Sequence, residues 1–243
     1  MSASNITFQV ETDRVLEILS KQIYDSPYAM VRENVQNSYD AVLMRAKAED
    51  RELSEYVIEI TLEPGIITIW DNGIGMSEEV LRNNFWKAGS SGKNNSEARA
   101  AGVIGTFGIG AMANFGVCTE LSVTTRTLGS SNGFRTNAKK RELTIGQECI
   151  SLVQLEDTIS VGTEVVAMLE SSSQIAEAGL KEYLIQFVQF LPVPVRINGV
   201  LVSQRDLAAV VGISGWEQIG ECKVNAGSML FDLTVYAQGN AVG

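Results

Sequence analysis

A polar stripe within residues 32–41 carries side chains that could support hydrolysis. Glu33, Asn37 and Asp40 stand at i, i+4 and i+7, so on a helix they share one face. Glu33 could position or deprotonate a water there, and the side-chain oxygen of Asn37 could bind Mg²⁺, a hard cation that prefers oxygen ligands. The simpler alternative is a solvated helix face, because polar stripes are normal on surface helices.

A second motif, Asp71-Asn-Gly-Ile-Gly-Met76, follows a β-rich run. Carboxylates and glycines in such a place often form only a turn. The functional interpretation is that Asp71 accepts a hydrogen bond from an exocyclic amine of a base. Gly73 and Gly75 would then let the backbone come close to the ligand.

A third motif, Gly102–Ala113, places several glycines just before a predicted helix. Such glycines expose backbone N–H groups, and a helix N-terminus favours phosphate. Within it, Gly108-x-Gly-x-x-Ala113 loosely matches a dinucleotide fingerprint but lacks the preceding strand and the later acidic residue. Gly89-Ser-Ser-Gly-Lys93 lacks the spacing of a P-loop, so both of these alternatives are discounted. A fourth motif, Gly162-Thr163, would by itself be only a turn into a strand.

The composition excludes several classes of site. The 243 residues include no histidine, which removes the Ser-His-Asp triad, the Cys-His pair and His-ligated zinc. The 3 cysteines lie far apart and form no CxxC pair, so a metal cluster is not expected. The net charge of −10 opposes binding to nucleic acid and to anionic membranes. No apolar run approaches the roughly 18–20 residues of a membrane span, so a soluble, cytoplasmic protein is expected.

Periodicity and turn residues predict the elements that must position these motifs. Ser26-Pro27 predicts the start of a helix that runs to about Glu49, and Ser77 predicts the cap of another helix. Glu63-Pro-Gly65, between two β-rich runs, predicts a hairpin. Strands are expected over residues 6–10, 57–62, 66–70, 121–126, 141–145, 150–155 and 163–169, and helices over residues 14–23, 109–116 and 180–190.

Three further segments have an informative composition. Residues 87–106 are rich in Gly, Ser, Asn and Ala and predict a long loop, which inside a compact domain is usually functional. Pro192–Ile197 predicts an edge strand, because prolines are tolerated there. Beyond about residue 203 the chain has room only for the beginning of another unit, with an alternating run at Leu230–Tyr236, so we expect a fragment of something longer.

In this order and at this spacing, the four motifs resemble those of the GHKL ATPases, which share the Bergerat nucleotide-binding fold. Glu33 and Asn37 match the first motif of that family, and Asp71-x-Gly-x-Gly75 matches the second. The Gly105–Gly110 stretch matches the third, and Gly162-Thr163 matches the fourth. Each motif is weak alone, whereas four in order form a strong signal.

Within that superfamily, the chain most resembles the heat shock protein 90 chaperones over about residues 5–200. The similarity is carried by Phe8–Leu19, by Gly105-Thr-Phe-Gly-Ile-Gly110 and by Leu180–Phe187 with the Pro-Val-Pro-Val run after it. One departure is Asn72, which is closer to mismatch-repair and gyrase relatives. The resemblance implies an α/β fold, a two-layer α+β sandwich whose mixed, mostly antiparallel sheet is covered on one face by helices. It also implies an ATP-binding domain over residues 1–203 and the start of a middle domain over residues 204–243.

The resemblance also implies residue roles in binding ATP or ADP with Mg²⁺. Asp71 would bind the adenine amino group, helped by Thr163 through water, and Glu33 would act on the attacking water. Asn37 would hold Mg²⁺ against the phosphates, and residues 87–106 would form a lid. The remaining nucleotide-binding residues implied are Asp40, Gly75, Met76, Lys93, Gly105, Phe107, Gly108, Ile109 and Gly110.

The function that this resemblance implies is an ATP-driven chaperone clamp. Such a clamp closes its lid over ATP, forms a homodimer in the full-length protein and acts on client proteins. One alternative is a DNA-transaction ATPase like mismatch-repair or topoisomerase subunits, which the negative charge opposes. Another is a nucleotide-sensing module without turnover, which the presence of Glu33 opposes.

Overall fold

The computed structural model describes residues 26–87, 111, 114–144, 147–156, 159–171, 173, 175–206, 216–226 and 229–238. Among these residues, no helix is both long and apolar enough to cross a membrane. The predicted strand at 6–10, the helix at 14–23 and nearly all of the predicted lid and glycine-rich motif lie outside the described residues.

The described helices and strands are named here in chain order. The helices are α1 (Ala29–Glu49), the single turn α2 (Glu78–Val80), which continues as a π-helical turn over Leu81–Phe85, and α3 (Glu177–Val188). The strands are β1 (Ile58–Glu63), β2 (Ile66–Asp71), β3 (Cys118–Arg126), β4 (Gly133–Lys139), β5 (Ser151–Leu155), β6 (Gly162–Leu169), β7 (Val195–Ile197), β8 (Val200–Leu201), β9 (Trp216–Ala226) and β10 (Met229–Gln238).

Strands β1 to β8 form one mixed sheet in the order β5-β4-β3-β6-β2-β1-β7-β8. Neighbouring strands run antiparallel throughout, except that β1 and β7 are parallel. Strands β9 and β10 form a separate two-stranded antiparallel sheet. The predicted fold class, a mixed and mostly antiparallel sheet with helices, is therefore confirmed.

Helix α1 begins two residues later than the sequence predicts. Ser26 and Pro27 form a turn before the helix, in which the Ser26 hydroxyl accepts the Tyr28 N–H at 3.2 Å and the Ser26 carbonyl accepts the Ala29 N–H at 3.0 Å. The helix ends where expected, because Asp50 adopts a left-handed conformation and donates its N–H to the Ala46 carbonyl. The predicted hairpin is also present, with Pro64-Gly65 as the connection between β1 and β2.

Two strand predictions are wrong. Residues 140–142 form a 3₁₀ turn instead of a strand, and the strand of this region is β4, whose inward positions are small or polar, as Thr136 and Ala138 show. Strand β7 is not at the sheet edge, since β8 pairs along its outer side. The missed signal is Asn198-Gly199, a hairpin dipeptide in which both residues have positive φ.

One face of the sheet packs against α1 and α3 and forms the core. Alternation along the central strands points Ile67 and Ile69 of β2 and Val165 and Ala167 of β6 toward these helices. Helix α1 contributes Met30, Val31, Val35 and Val42 to the same core. The candidate site lies where these apolar stripes end.

Candidate functional site

Three adjacent strands each place a polar residue at the end of an otherwise apolar, inward-facing stripe. On β2 the stripe ends at Asp71, on β6 at Thr163, and on β3 at Thr125. In the sheet register Asp71 lies opposite Thr163, which in turn lies opposite Thr125. All three residues are less than a tenth exposed, so they form one buried polar cluster at one end of the core.

The Asp71 carboxylate is the electrostatic centre of this cluster. It is 3 % exposed, and its Oδ1 accepts the Gly73 N–H at 2.8 Å. The Ser38 hydroxyl and the Thr163 backbone also donate to the carboxylate. Burial nevertheless raises the pKa of Asp71 from its ordinary value of 3.8 to about 6, because desolvation outweighs these three hydrogen bonds.

This arrangement suits a neutral donor on a ligand. An ionised carboxylate only accepts hydrogen bonds, and its two oxygens together offer about four acceptor sites. Three protein donors leave acceptor capacity for a further N–H, such as the exocyclic amine of a base. Polar groups are usually buried only with hydrogen-bond partners, so a further donor would lower the cost of burying the charge.

Ligand binding through Asp71 should weaken as the pH falls through 6. Protonation removes the acceptor, and near pH 5 only about a tenth of a carboxyl with a pKa of about 6 is ionised. We expect the affinity for adenosine, which has no phosphate, to fall roughly tenfold between pH 7 and pH 5 by calorimetry. An affinity that does not change over this range would contradict the role of Asp71 as an ionised acceptor.

Thr125 connects the parts of the site, although sequence reasoning missed it. Its hydroxyl donates to the Gly162 carbonyl at 2.9 Å and accepts the Met76 N–H at 2.9 Å. The hydroxyls of Thr125 and Thr163 are 3.0 Å apart. Because the single Thr125 proton is directed to Gly162, the Thr163 hydroxyl must be the donor of that bond. Thr163 therefore presents its remaining lone pairs to any water or ligand nearby.

The turn after Asp71 is anchored to the protein on both sides. The Asn72 side chain accepts the Val57 N–H at 2.8 Å, and the Asn72 carbonyl accepts a hydrogen bond from Arg45 at 2.9 Å. The Ile74 N–H donates to the Ala41 carbonyl of α1 at 3.0 Å. These contacts give Asn72 a structural role within this chain.

The two motif glycines make room for neighbouring protein atoms. A Cβ on Gly73 would lie 2.6 Å from the Ala41 Cβ, which would separate the turn from α1. Gly75 has a φ of +71°, and a Cβ there would collide with the Arg126 carbonyl oxygen. The groups that approach these glycines closely are protein atoms of α1 and β3, so the approach to a ligand stays a prediction.

The polar stripe of α1 is only partly exposed to solvent. Asp40 is 1 % exposed, and Asn37 is half-buried. The Glu33 side chain is 23 % exposed and forms an ion pair with Arg32 at 2.9 Å. The stripe is therefore not uniformly solvated, because Asp40 is buried while Glu33 and Asn37 keep partial exposure.

Ser38 links α1 to the buried polar cluster around Asp71. Ser38 follows Asn37 directly and donates to Asp71, and its own side chain is buried. Glu33 lies five residues earlier, which corresponds to about 7.5 Å along a helix axis. The carboxylates of Glu33 and Asp71 are thus on separate elements, with Asn37 on the helix between Glu33 and the Asp71 contact.

The structure brings together the predicted residues Asp71, Thr163, Gly75 and Met76, and it connects them through Ser38 to the helix that carries Glu33, Asn37 and Asp40. The other predicted ligand contacts, Lys93, Gly105, Phe107, Gly108, Ile109 and Gly110, lie outside the described residues. Ser38 and Thr125 were missed, yet each has a signal in the sequence. Both are polar residues that continue an apolar stripe, Ser38 on α1 and Thr125 after Leu121 and Val123 on β3.

Metal binding by side chains alone has little support in the described part of the chain. No group of three or more His, Cys, Asp or Glu residues there could hold a metal ion. A single amide oxygen such as that of Asn37 fits Mg²⁺, which usually keeps several waters and binds through few protein ligands plus substrate phosphates.

Comparison with known proteins gives a consistent family assignment. The family model described as "Histidine kinase-, DNA gyrase B-, and HSP90-like ATPase" matches residues 24–171. Chaperone protein HtpG of Desulfotalea psychrophila is 30% identical over 219 residues, which cover 83% of this chain and 34% of that protein. Chaperone protein HtpG of Halalkalibacterium halodurans is 27% identical and covers 82% and 34%, respectively. The mitochondrial heat shock protein 75 kDa of Bos taurus is 28% identical and covers 82% and 29%. The chain thus spans about a third of the length of these relatives.

Proposed function

We propose, from the premise that this chain belongs to the family of histidine kinase-, DNA gyrase B- and HSP90-like ATPases, that it binds and hydrolyses ATP as part of a heat shock protein 90-like chaperone. The family match covers more than half of the chain, and the relatives cited are named as chaperones or as a heat shock protein. Membership of this family supports nucleotide binding, whereas the names of the relatives support the chaperone role.

The observation that carries the proposal is the buried Asp71 carboxylate. Its acceptor-only chemistry fits the amino group of adenine, and it would repel the carbonyl oxygen that guanine carries at the equivalent ring position. The Thr163 hydroxyl, with its lone pairs turned away from Thr125, would accept a hydrogen bond from a water. That water would donate its other proton to a ring nitrogen of the base.

Hydrolysis would take place at the other end of the helix face. Asn37 would hold Mg²⁺, which supplies charge neutralisation for the phosphates when it is bound. Glu33 would orient the attacking water and accept its proton, since phosphoryl transfer depends chiefly on positioning and charge stabilisation. The 23 % exposure of the Glu33 side chain leaves it accessible to a water.

Lid closure over ATP by residues 87–106, homodimerisation of the full-length protein and action on client proteins complete the proposal. They are supported by the family resemblance, and the described residues do not bear on them. Light scattering with and without a non-hydrolysable ATP analogue tests the dimer, and an oligomeric state that is independent of nucleotide would count against it.

Thermal unfolding with paired nucleotides tests base recognition. We expect ADP with Mg²⁺ to raise the Tm, whereas GDP with Mg²⁺ at the same concentration raises it much less. The two ligands share the same phosphates and sugar, so the difference isolates the contact of the base with Asp71. Equal stabilisation by ADP and GDP would rule out recognition of adenine by this carboxylate.

A further inference from the structure

A hydrogen bond between two buried amides joins α1 to the residues that follow the glycine-rich motif. The Asn34 Nδ2 donates to the Asn114 Oδ1 at 2.7 Å, across 80 residues of sequence. Asn34 is 3 % exposed and Asn114 is fully buried. Asn34 follows Glu33 directly, and Asn114 stands four residues after Gly110.

Both amides are also tied to their own elements. The second N–H of Asn34 donates to the Met30 carbonyl at 2.8 Å, one turn earlier in α1. The Asn114 amide donates to the Ala111 carbonyl at 3.1 Å. Each side chain is therefore held in orientation by its own helix or turn before it reaches the other. Their neighbours in sequence, Val35 and Phe115, belong to the hydrophobic core.

A link of this kind is directional, in contrast to an apolar contact. Hydrophobic contacts tolerate sliding, because their free energy depends on area and not on orientation. A buried amide that loses its partner loses that hydrogen bond without replacement by bulk water, so a rotation or one-residue slip of either element is penalised. Single buried asparagines fix register in this way in helical assemblies.

We propose that the Asn34–Asn114 hydrogen bond is a positioning link, which fixes the end of the glycine-rich motif relative to Glu33 and Asn37. Neither asparagine is assigned to touch the nucleotide. The link would hold the residues that directly follow Gly110 and the helix that carries Glu33 in one relative arrangement, and it rests on the proposed function for the ligand and for the role of Glu33. Its loss should therefore lower turnover more than it lowers affinity for the base.

Two substitutions at position 114 separate a link from simple packing. Asn114→Asp keeps the oxygen that accepts the Asn34 N–H but loses the N–H that is donated to Ala111, whereas Asn114→Leu loses both and suits the apolar surroundings better. We expect the full-length Asn114→Asp protein to keep its ATP turnover within about threefold of the original. We expect Asn114→Leu to lose at least tenfold, with the ADP dissociation constant changed less than threefold. If the side chain serves only in packing, Asn114→Leu should keep more ATP turnover than Asn114→Asp, and that result would overturn the proposal.

Removing both amides supplies a second test, which can still be interpreted if a single variant folds poorly. In Asn34→Leu/Asn114→Ala no buried amide is left unpaired, so the Tm should recover relative to Asn34→Leu alone. Turnover should stay at least tenfold below the original, because nothing then fixes the register. Recovery of turnover together with Tm would show that the pair only fills space.

Hydrogen exchange tests the positioning without any reference to catalysis. In the double variant, the peptide that covers Ala111–Val117 should exchange at least tenfold faster, while β2 and β6 keep their protection. Ser203→Ala is the matched control. Ser203 is buried, and its hydroxyl accepts the Val195 N–H and donates to the Val193 carbonyl, each at 2.8 Å, with no hydrogen bond to α1 among the described residues. It should lower the Tm and leave both turnover and exchange of the 111–117 peptide unchanged.

The two proposals fail in different ways. Unchanged exchange in the 111–117 peptide would refute the positioning link, whatever the enzyme activity. Absence of Glu33-dependent ATP turnover in the original full-length protein would refute the proposed function, while faster exchange in the double variant would still support the link.

Discussion

Asp71→Asn should abolish adenine-nucleotide binding. In place of a carboxylate with two accepting oxygens, the variant carries an amide that must turn its NH₂ toward one of the existing donors or toward the base. A buried donor without an acceptor costs about 1–3 kcal/mol, and the loss of a charge-assisted bond adds to this. Together these correspond to a loss in affinity of roughly 10²-fold or more, which calorimetry with ADP would measure.

The same variant gives an independent result in the absence of ligand. Because the pKa of Asp71 in the folded protein, about 6, lies above its ordinary value of 3.8, the folded state binds more protons between these two values. The stability that this group contributes is fully present below pH 3.8 and is lost as the pH rises to about 6, roughly 3 kcal/mol in all. The Tm of Asp71→Asn should therefore rise relative to that of the original protein as the pH increases from 4 to 7.

Unfolding of the Asp71→Asn protein without ligand also distinguishes a lost ligand contact from a loss of folding. A variant that binds no ADP but keeps a cooperative unfolding transition has lost only the ligand contact. Glu164→Gln is the matched control, since Glu164 neighbours Thr163 on β6 but alternation directs it to the opposite face of the sheet. It should bind ADP normally. If the Asp71→Asn protein binds ADP with an affinity within threefold of the original, Asp71 does not recognise the base.

The local elements of the site could be predicted because short-range patterns determine them. The β1–β2 hairpin follows from two β-rich runs around Pro64-Gly65, and the length of α1 follows from its continuous helix-forming sequence up to Asp50. The same alternation that buries Ile67 and Ile69 also buries Asp71, so the burial of this carboxylate was implicit in the sequence.

The assembly of the site could not be predicted in the same way, because it depends on strand register between distant segments. Thr125 and Thr163 are 38 residues apart in sequence and meet only because β3 and β6 pair in one particular register. Alternation after Leu121 and Val123 places Thr125 on the core face, but nothing local indicates that its partner is Thr163.

Buried polar residues on the helix were missed for a related reason. Asn34 and Ser38 lie on the apolar side of α1 and find specific partners, Asn114 and Asp71, on other elements. A polar side chain on a core-facing helix position is tolerated only if a partner exists, and the partner is invisible until the chain folds. Strand β4 was missed because its inward positions are too small and polar to give an apolar alternation.

Glu33→Ala should separate chemistry from binding. If Glu33 orients the attacking water, its removal leaves the contacts of the base with Asp71 intact, so the ATP dissociation constant should stay within a few-fold. Turnover of the full-length protein should fall roughly 10²-fold or more, the usual scale for a lost general base. Phosphate release and calorimetry on the same preparation measure the two quantities.

The Glu33→Ala variant should fold, because the contacts of the Glu33 side chain contribute little to stability. Its ion pair with Arg32 is partly exposed, and such pairs contribute about 1 kcal/mol or less to stability. Arg32 also lies over the ring of Phe187 on α3, at 5.3 Å from the ring centroid, and keeps that contact when Glu33 is removed. A change in turnover can therefore be assigned to the carboxylate itself.

Glu33→Gln sharpens the assignment, since it keeps the size and hydrogen bonding of the side chain and removes only its basicity. A water-activating carboxylate predicts that both variants lose turnover to a similar extent while they continue to bind ADP. If glutamine instead preserves turnover, the side chain acts only by positioning. If Glu33→Ala loses ADP as completely as Asp71→Asn does, Glu33 holds the nucleotide pocket together, and the chemical role of this helix face must be given to another residue.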